Sequence, residues 1–173
     1  MDDVTIDRLD GAAVAAAADE LAGLIIDAVT GGASVGFARQ PAAADALAWV
    51  AGVAADVEAG RAIVMAAWRP GAICGTVQLR FASSENGRHR AEVAKLLVHR
   101  SVRSRGIGTR LMDAVETAAR TAGLRTLVLD TETGSDAERL YQRLGWHRVG
   151  TVPEYAMSPA GGLRGTSFYY RLI

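Results

Sequence analysis

A single cysteine, Cys74, stands in 173 residues. No internal disulfide can form, so the chain has no stapled framework and suits a reducing cytosol. Cys74 lies in an apolar, strand-like stretch and reads as a small core residue rather than a nucleophile. No apolar run approaches the roughly 18 residues of a membrane span, and no membrane partner is expected. The start, Met1-Asp2-Asp3, is acidic and lacks the layout of a signal peptide. Three scattered histidines and one cysteine give no metal-ligand spacing, so no metal is expected. An excess charge is missing too. Nineteen basic and 19 acidic residues cancel, which gives no reason to expect nucleic acid as a partner. What is present is a chain that is half hydrophobic, with no internal repeat or low-complexity linker. That is enough for one cored domain spanning residues 1–173, as a monomer or a homodimer.

The most informative stretch is Val93 to Leu111, V-A-K-L-L-V-H-R-S-V-R-S-R-G-I-G-T-R-L. An apolar run ends in a basic loop punctuated by glycine, and the loop opens into a helical pattern. Gly106 and Gly108 let the backbone turn tightly and approach a ligand. Unpaired N–H groups at the helix start point into the same space, and the macrodipole adds partial positive charge. Arg100, Arg103 and Arg105 add full charges suited to phosphate oxygens. A polyanion is the expected ligand. A P-loop is excluded because Gly108-Thr109-Arg110 replaces Gly-Lys-Ser/Thr. A dinucleotide fingerprint is excluded because Leu111 stands where a third glycine or alanine belongs.

Periodicity organises the rest. Residues 4–9 alternate as a strand. Residues 11–29 and 41–59 read as helices, with Val14, Ala18, Leu21, Ile25 and Ala28 on one stripe and Leu47, Val50, Ala54 and Val57 on the other. Residues 62–68 and 73–81 form an antiparallel hairpin across Arg69-Pro70-Gly71-Ala72. A strand at 92–99 precedes the basic loop. The helix opened by Gly106 should turn Ile107, Leu111, Val115, Ala118 and Ala122 inward. A strand at 125–131 completes a βαβ unit, which requires parallel pairing. A short helix at 135–144, a strand at 146–152, an irregular loop at 153–165 and a last strand at 166–172 follow.

Arg103-x-x-Gly106-x-Gly108 after a strand and before a helix resembles the acyl-CoA loop of the GNAT acetyltransferases. Ala137-x-x-Leu140-Tyr141-x-x-Leu144-Gly145-Trp146 resembles that family's second signature. More narrowly, the chain is similar to the tabtoxin-resistance branch. That match is carried by Ala33 to Phe37, by Leu129 to Ser135, and by Val149-Gly150-x3-Glu154-Tyr155 with Phe168 to Tyr170. The resemblance implies an α/β GNAT fold: a mixed, mostly antiparallel sheet with a central splayed parallel pair and helices on both faces. It also implies acetyl-CoA as co-substrate, held in the splay. Backbone groups of Leu97 and Val98 would hold the pantetheine and the acetyl carbonyl. Arg103, Ser104, Arg105, Gly106, Ile107, Gly108 and Thr109 would surround the pyrophosphate. The sequence departs from the family where Gly134-Ser135 replaces a usual asparagine, and where Arg100 replaces a common proline.

Moving an acetyl group from a thioester to an amine needs a base for the ammonium proton, a donor to the carbonyl oxygen and an acid for the thiolate. Tyr141 is either that acid, as the resemblance implies, or one apolar position on a helix stripe. Glu92 is either a base, as the similarity of Ala91-Glu92-Val93 to the base-bearing Ala-Glu-Ile of the histone-modifying branch implies, or a charged strand end in solvent. Asp130 ends a parallel strand, where α/β sites collect their groups, and is a base, an ammonium partner or a cap. Phe37, Tyr155 and Glu154 are candidates for the acceptor pocket beside Asp130. The acceptor is read as a small-molecule primary amine, a toxin or antibiotic among them. Two rival readings are a non-catalytic acyl-CoA-binding module and a serine hydrolase using Ser34, since Gly32-x-Ser34-x-Gly36 fits G-x-S-x-G.

Overall fold

A computed structural model describes residues 4–173, so the Met1-Asp2-Asp3 start lies outside the described residues. The chain opens with β1 (Thr5–Leu9), α1 (Gly11–Ala16), α2 (Ala18–Thr30) and α3 (Ala43–Glu58). The hairpin of β2 (Ala62–Arg69) and β3 (Ala72–Phe81) leads to β4 (Arg90–Val98), α4 (Ile107–Thr121) and β5 (Thr126–Glu132). The chain closes with α5 (Asp136–Arg143), β6 (His147–Met157) and β7 (Leu163–Leu172).

One seven-stranded sheet runs β1-β2-β3-β4-β5-β7-β6. β4 and β5 pair in parallel, as the crossover through α4 demands. The other pairs among the described residues are antiparallel. Both faces of the sheet are covered. On one face Val14, Ile25 and Val50 of the first three helices pack on Val64, Ile73 and Leu97. On the other, Leu111, Val115 and Tyr141 of α4 and α5 pack on Val77, Leu79, Val93 and Leu127. Double coverage buries even the polar positions of β3. Thr76 donates its hydroxyl to the Met65 carbonyl at 3.0 Å, and Gln78 accepts from Arg80 Nε at 3.3 Å.

Several boundaries differ from the periodic reading. The helix expected over 11–29 is interrupted at Ala17 (φ −94°, ψ 19°). Helical bonding continues through the kink, from Ala17 N–H to Ala13 O and from Leu21 N–H to Ala17 O. The bend lets α1 and α2 each lie against α3. On α3 the buried positions are Ala46, Val50 and Val53, while Leu47 is exposed. Alanine spaced among larger apolar residues makes two overlapping stripes, and packing selects the one containing Ala46. On α4, Met112 and Ala119 are buried in place of Ala118 and Ala122.

The largest difference is at the end. Residues 153–165 are not an irregular loop. They extend β6 to Met157 and start β7 at Leu163, with Ser158 N–H donating to Gly162 O at 2.9 Å across the turn. Pro153 is tolerated because β6 is an edge strand, where a missing N–H costs no ladder bond. A bulge between Val152 and Ala156 absorbs the positive φ of Glu154 (51°).

Candidate active site

The centre of the sheet is split. β4 and β5 pair only from Arg90–Glu92 to Thr126–Val128. β4 then runs on to Val98 and β5 to Glu132 without pairing each other. The outer edge of β5 is taken by β7 and that of β4 by β3. Each strand therefore turns one backbone edge, free of strand partners, into the gap. The divergence has a local cause. Lys95 and Leu96 together oppose Val77, and Lys95 adopts a left-handed φ of 52°. Such a bulge bends its strand and increases the twist.

The basic loop closes one end of the gap. After a short turn at Arg100–Val102, Ser104 (φ 63°) and Gly106 (φ 77°) are both left-handed, and Gly106 caps α4. Left-handed residues so close together curl successive amides toward one concave face. Arg110 is the first α4 residue whose amide is satisfied within the helix, through Gly106 O at 3.1 Å. The amides of Ile107, Gly108 and Thr109 are thus left for a ligand. Gly108 permits close contact with α5, since a Cβ there would lie 3.1 Å from Leu140 Cδ2.

The arginines divide their work. Arg100 does not face the amide row. Its backbone N–H and Nε bind Asp27 of α2 at 3.0 and 2.8 Å, tying the loop to the helical layer. Burial alone would raise the Asp27 pKa, but the Arg100 hydrogen bonds and the charges of His99 and Arg100 leave it lowered. Arg103 turns back so that Nε donates to Val98 O at 3.0 Å. This braces the end of β4. Arg105 is exposed at the loop tip.

Tyr141 projects from α5 and is 5% exposed, packed against Trp146 and Tyr169 at ring separations of 6.1 and 6.5 Å. Burial pushes its phenol well above the usual range, and the charge of Asp130 adds to this. The side chain therefore stays protonated and can only donate its proton at neutral pH. Asp130 and Glu92 lie on the opposite side of the sheet. Glu92 pairs with Val128, and Asp130 follows two residues on along the same face of β5. Beyond it, Glu132 carries a buried carboxylate oxygen, Oε2, with no hydrogen-bond partner among the described residues.

The expected acceptor residues separate. Phe37 is half-buried in the α2–α3 loop and, with Gly36, Ala38, Arg39, Pro41 and Asp45, lines an open hollow of about 420 Å³. Tyr155 meets Phe168 edge-on at 5.3 Å, and Phe168 is the register partner of Asp130. Tyr155 thus reaches the carboxylate side through one aromatic ring. Glu154 is exposed at its bulge, with a left-handed φ of 51°. Ser34 lies in the loop that follows α2, with no strand before it, so the strand–turn–helix of a nucleophile elbow is absent.

Two residues escape the sequence reading. Lys95 is half-buried, and the charges of Arg80, Asp130 and Glu92 act on it. A Cβ at Gly36 would sit 3.5 Å from its Nζ, which places the ammonium under the α2–α3 loop. The signal in the sequence is that Lys95 is the only lysine among 19 basic residues. Glu138 is buried on α5. It accepts from Gly134 N–H at 2.6 Å and from the Tyr169 hydroxyl at 2.8 Å. Burial raises its pKa, but bonds from Gly134, Ser167 and Tyr169 and the Arg148 charge outweigh that and lower it. Its neighbour Gln142 donates to the same Tyr169 oxygen at 3.0 Å, so the helix bearing Tyr141 is locked to β7.

A split parallel pair that ends in a left-handed amide loop at a helix start defines a seat for a long ligand with an anionic middle. The sequence pattern of the acetyltransferase (GNAT) family matches residues 36–146, which include the α2–α3 loop, the split strands and Tyr141. The chain belongs to that family. Solved structures agree on the fold. yncA of Salmonella typhimurium, with its cofactor acetyl-CoA, is 22% identical at a TM-score of 0.79, covering 98% of this chain and 94% of that one. A ribosomal-protein-alanine N-acetyltransferase from Brucella melitensis is also 22% identical at 0.79, over 98% and 99% of the chains. An N-acetyltransferase from Staphylococcus aureus Mu50 is 19% identical at 0.79, over 98% of each. Among the described residues no helix is long and apolar enough to cross a membrane, and no cluster of side chains could hold a metal.

Proposed function

We propose that this acetyltransferase moves the acetyl group of acetyl-CoA to a primary amine of a small molecule by direct attack. One observation carries the reading. The gap between β4 and β5 has backbone and amides along its length, a buried phenol on one side and two carboxylates on the other. The residues present fit acetyl-CoA. The free backbone edge of β4 suits an extended amide-bearing arm, and the unsatisfied amides at the start of α4 suit a pyrophosphate. Leu97 and Val98 would take the arm, and Ser104 to Thr109 the phosphates. Acetyl-CoA supplies the activated acyl group as a thioester.

The side chains supply the rest. A free amine is mostly protonated at neutral pH, so Glu92 or Asp130 accepts its proton, directly or through a water. A β4 amide near Leu97 or Val98 donates to the acyl oxygen. Tyr141 gives its proton to the departing sulfur, which its raised pKa keeps available. Phe37 and Tyr155 wall the acceptor side. The similarity of residues 33–37, 129–135 and 149–155 to the tabtoxin-resistance branch supports a toxin-like or antibiotic-like acceptor, with residues 1–173 working as one domain in the cytosol.

The test is thiol release from acetyl-CoA over a panel of amino acids, amino sugars, aryl amines, β-lactams bearing an amine and peptides with free N-termini. Release with at least one small amine, and mass spectrometry showing the N-acetyl product, is the expected result. Calorimetric binding of acetyl-CoA with no turnover on any amine would mark a binding module instead.

A further inference from the structure

Lys95 has a placement that the transfer chemistry does not use. It sits at the bulge that opens the gap, with its ammonium beneath Gly36. Gly36 is itself left-handed (φ 94°), and its missing side chain leaves the space above Nζ clear. A half-buried ammonium loses hydration and needs compensation. Among the described residues Lys95 has neither a hydrogen bond nor a close ion pair; Arg80, Asp130 and Glu92 act on it only through their charge. Every other cation of the chain is arginine. Lysine is the compact, single-point charge of the two.

The charges that act on Lys95 are those of Arg80, Asp130 and Glu92, and Glu132 lies two residues beyond Asp130 along β5. A simple amine enters as a cation. It would satisfy a carboxylate but meet the Lys95 charge with nothing to offset it. A zwitterion satisfies both signs at once: its ammonium faces Asp130 or Glu92 while its carboxylate faces Lys95. We infer that Lys95 is the specificity residue of the acceptor site and receives a carboxylate of the acceptor, so that the preferred substrate is of the α-amino-acid class. This rests on the acetyl-transfer reading above. Burial and Arg80 both lower the Lys95 pKa while Asp130 and Glu92 oppose them, in keeping with a cation short of direct partners.

The experiment compares amino acids with their matching amides, which keep the amine and side chain but lack the carboxylate. Wild type, Lys95→Met and Lys95→Arg are assayed by thiol release, and acetyl-CoA calorimetry checks that each variant folds. Wild type should prefer an acid over its amide by about 10- to 100-fold in kcat/KM, the worth of a charge-assisted bond. Lys95→Met should lose that preference through KM for the acid and leave the amide within about threefold. Lys95→Arg should keep part of it. Equal use of acid and amide by wild type, or an equal loss on both in Lys95→Met, overturns the assignment. If no amine is turned over, the transfer reading fails by itself, and the carboxylate reading is still decided by NMR. Reductive ¹³C-methylation labels Lys95 and the N-terminal amine only. With CoA present, a pool of the standard amino acids should move the Lys95 signal, and the pool of their amides should not. No movement with either pool, or equal movement with both, rejects the proposal.

Discussion

The two sides of the gap are built from different materials. The side proposed for the donor is backbone: the β4 edge that loses its partner beyond Glu92, the left-handed Ser104 and Gly106, and the first amides of α4. Its arginines mostly brace the scaffold, Arg100 against Asp27 and Arg103 against Val98 O. The side proposed for the acceptor is side chains from separate segments: Phe37 and Gly36 from a loop, Glu92 and Lys95 from β4, Asp130 from β5 and Tyr155 from β6. Backbone recognition tolerates change at almost every side chain, so it suits an invariant ligand. Side-chain recognition changes with each substitution, so it suits a ligand that varies between relatives. Tyr141 is proposed to stand between the two and to serve the chemistry itself.

This division can be broken or sharpened experimentally. The largest effect should come from Tyr141→Phe, which removes the proposed proton donor and keeps the packing. Turnover should fall on the order of 100-fold, the usual worth of a positioned acid, while acetyl-CoA affinity by calorimetry stays within about twofold. A matched fall in both would make Tyr141 a packing residue. Gly106→Val comes next. A branched side chain at φ 77° costs about 1–2 kcal/mol. Acetyl-CoA binding should weaken about 5- to 30-fold, with the acceptor KM little changed. Loss on the acceptor side instead would erase the division.

Glu138→Gln tests the support beneath Tyr141. Exchanging a buried carboxylate for an amide at the Gly134, Ser167 and Tyr169 bonds should cost about 1.5–3 kcal/mol, read as a lower Tm at pH 7. The pH dependence has a definite sign. The folded pKa is lowered, so the stabilisation is present above the unfolded value of about 4.3. It is lost as pH falls through the lower folded value. The gap in Tm between wild type and variant should therefore close on acidification below about pH 4.3. A constant gap would show that the loss is one of shape and not of charge. Smallest of all, Ser34→Ala should leave acetyl transfer unchanged within about twofold, a shift of under 0.5 kcal/mol as for surface substitutions generally. A collapse of activity would reopen the hydrolase reading.

The same division explains what could be read from the chain. Glycine spacing, a basic loop and a strand–helix–strand period all encode backbone geometry, so the amide row and the parallel pair are legible in the sequence. The family signature carried Tyr141. Lys95 was hidden because a bulge shifts the strand's alternation by one residue, and an alternating pattern assumes that no such slip occurs. Glu138 was hidden because a charged residue on a short helix reads as a solvated face, whereas three donors from the turn and β7 converge on it. The strands at 146–152 and 166–172 are legible, but the outer part of their hairpin is hidden because Pro153 and Gly161-Gly162 look like loop residues. An edge strand with a bulge accommodates the proline, and the glycines make only the turn.

The most direct measurement is a calorimetric titration of acetyl-CoA into a chain carrying Glu92→Gln, Asp130→Asn and Tyr141→Phe together. If backbone holds the donor and side chains serve the acceptor and the proton transfers, the dissociation constant should stay within about threefold of wild type, a change of under 0.7 kcal/mol, although turnover is gone. A loss of acetyl-CoA affinity of about 30-fold or more, equivalent to about 2 kcal/mol, would contradict it.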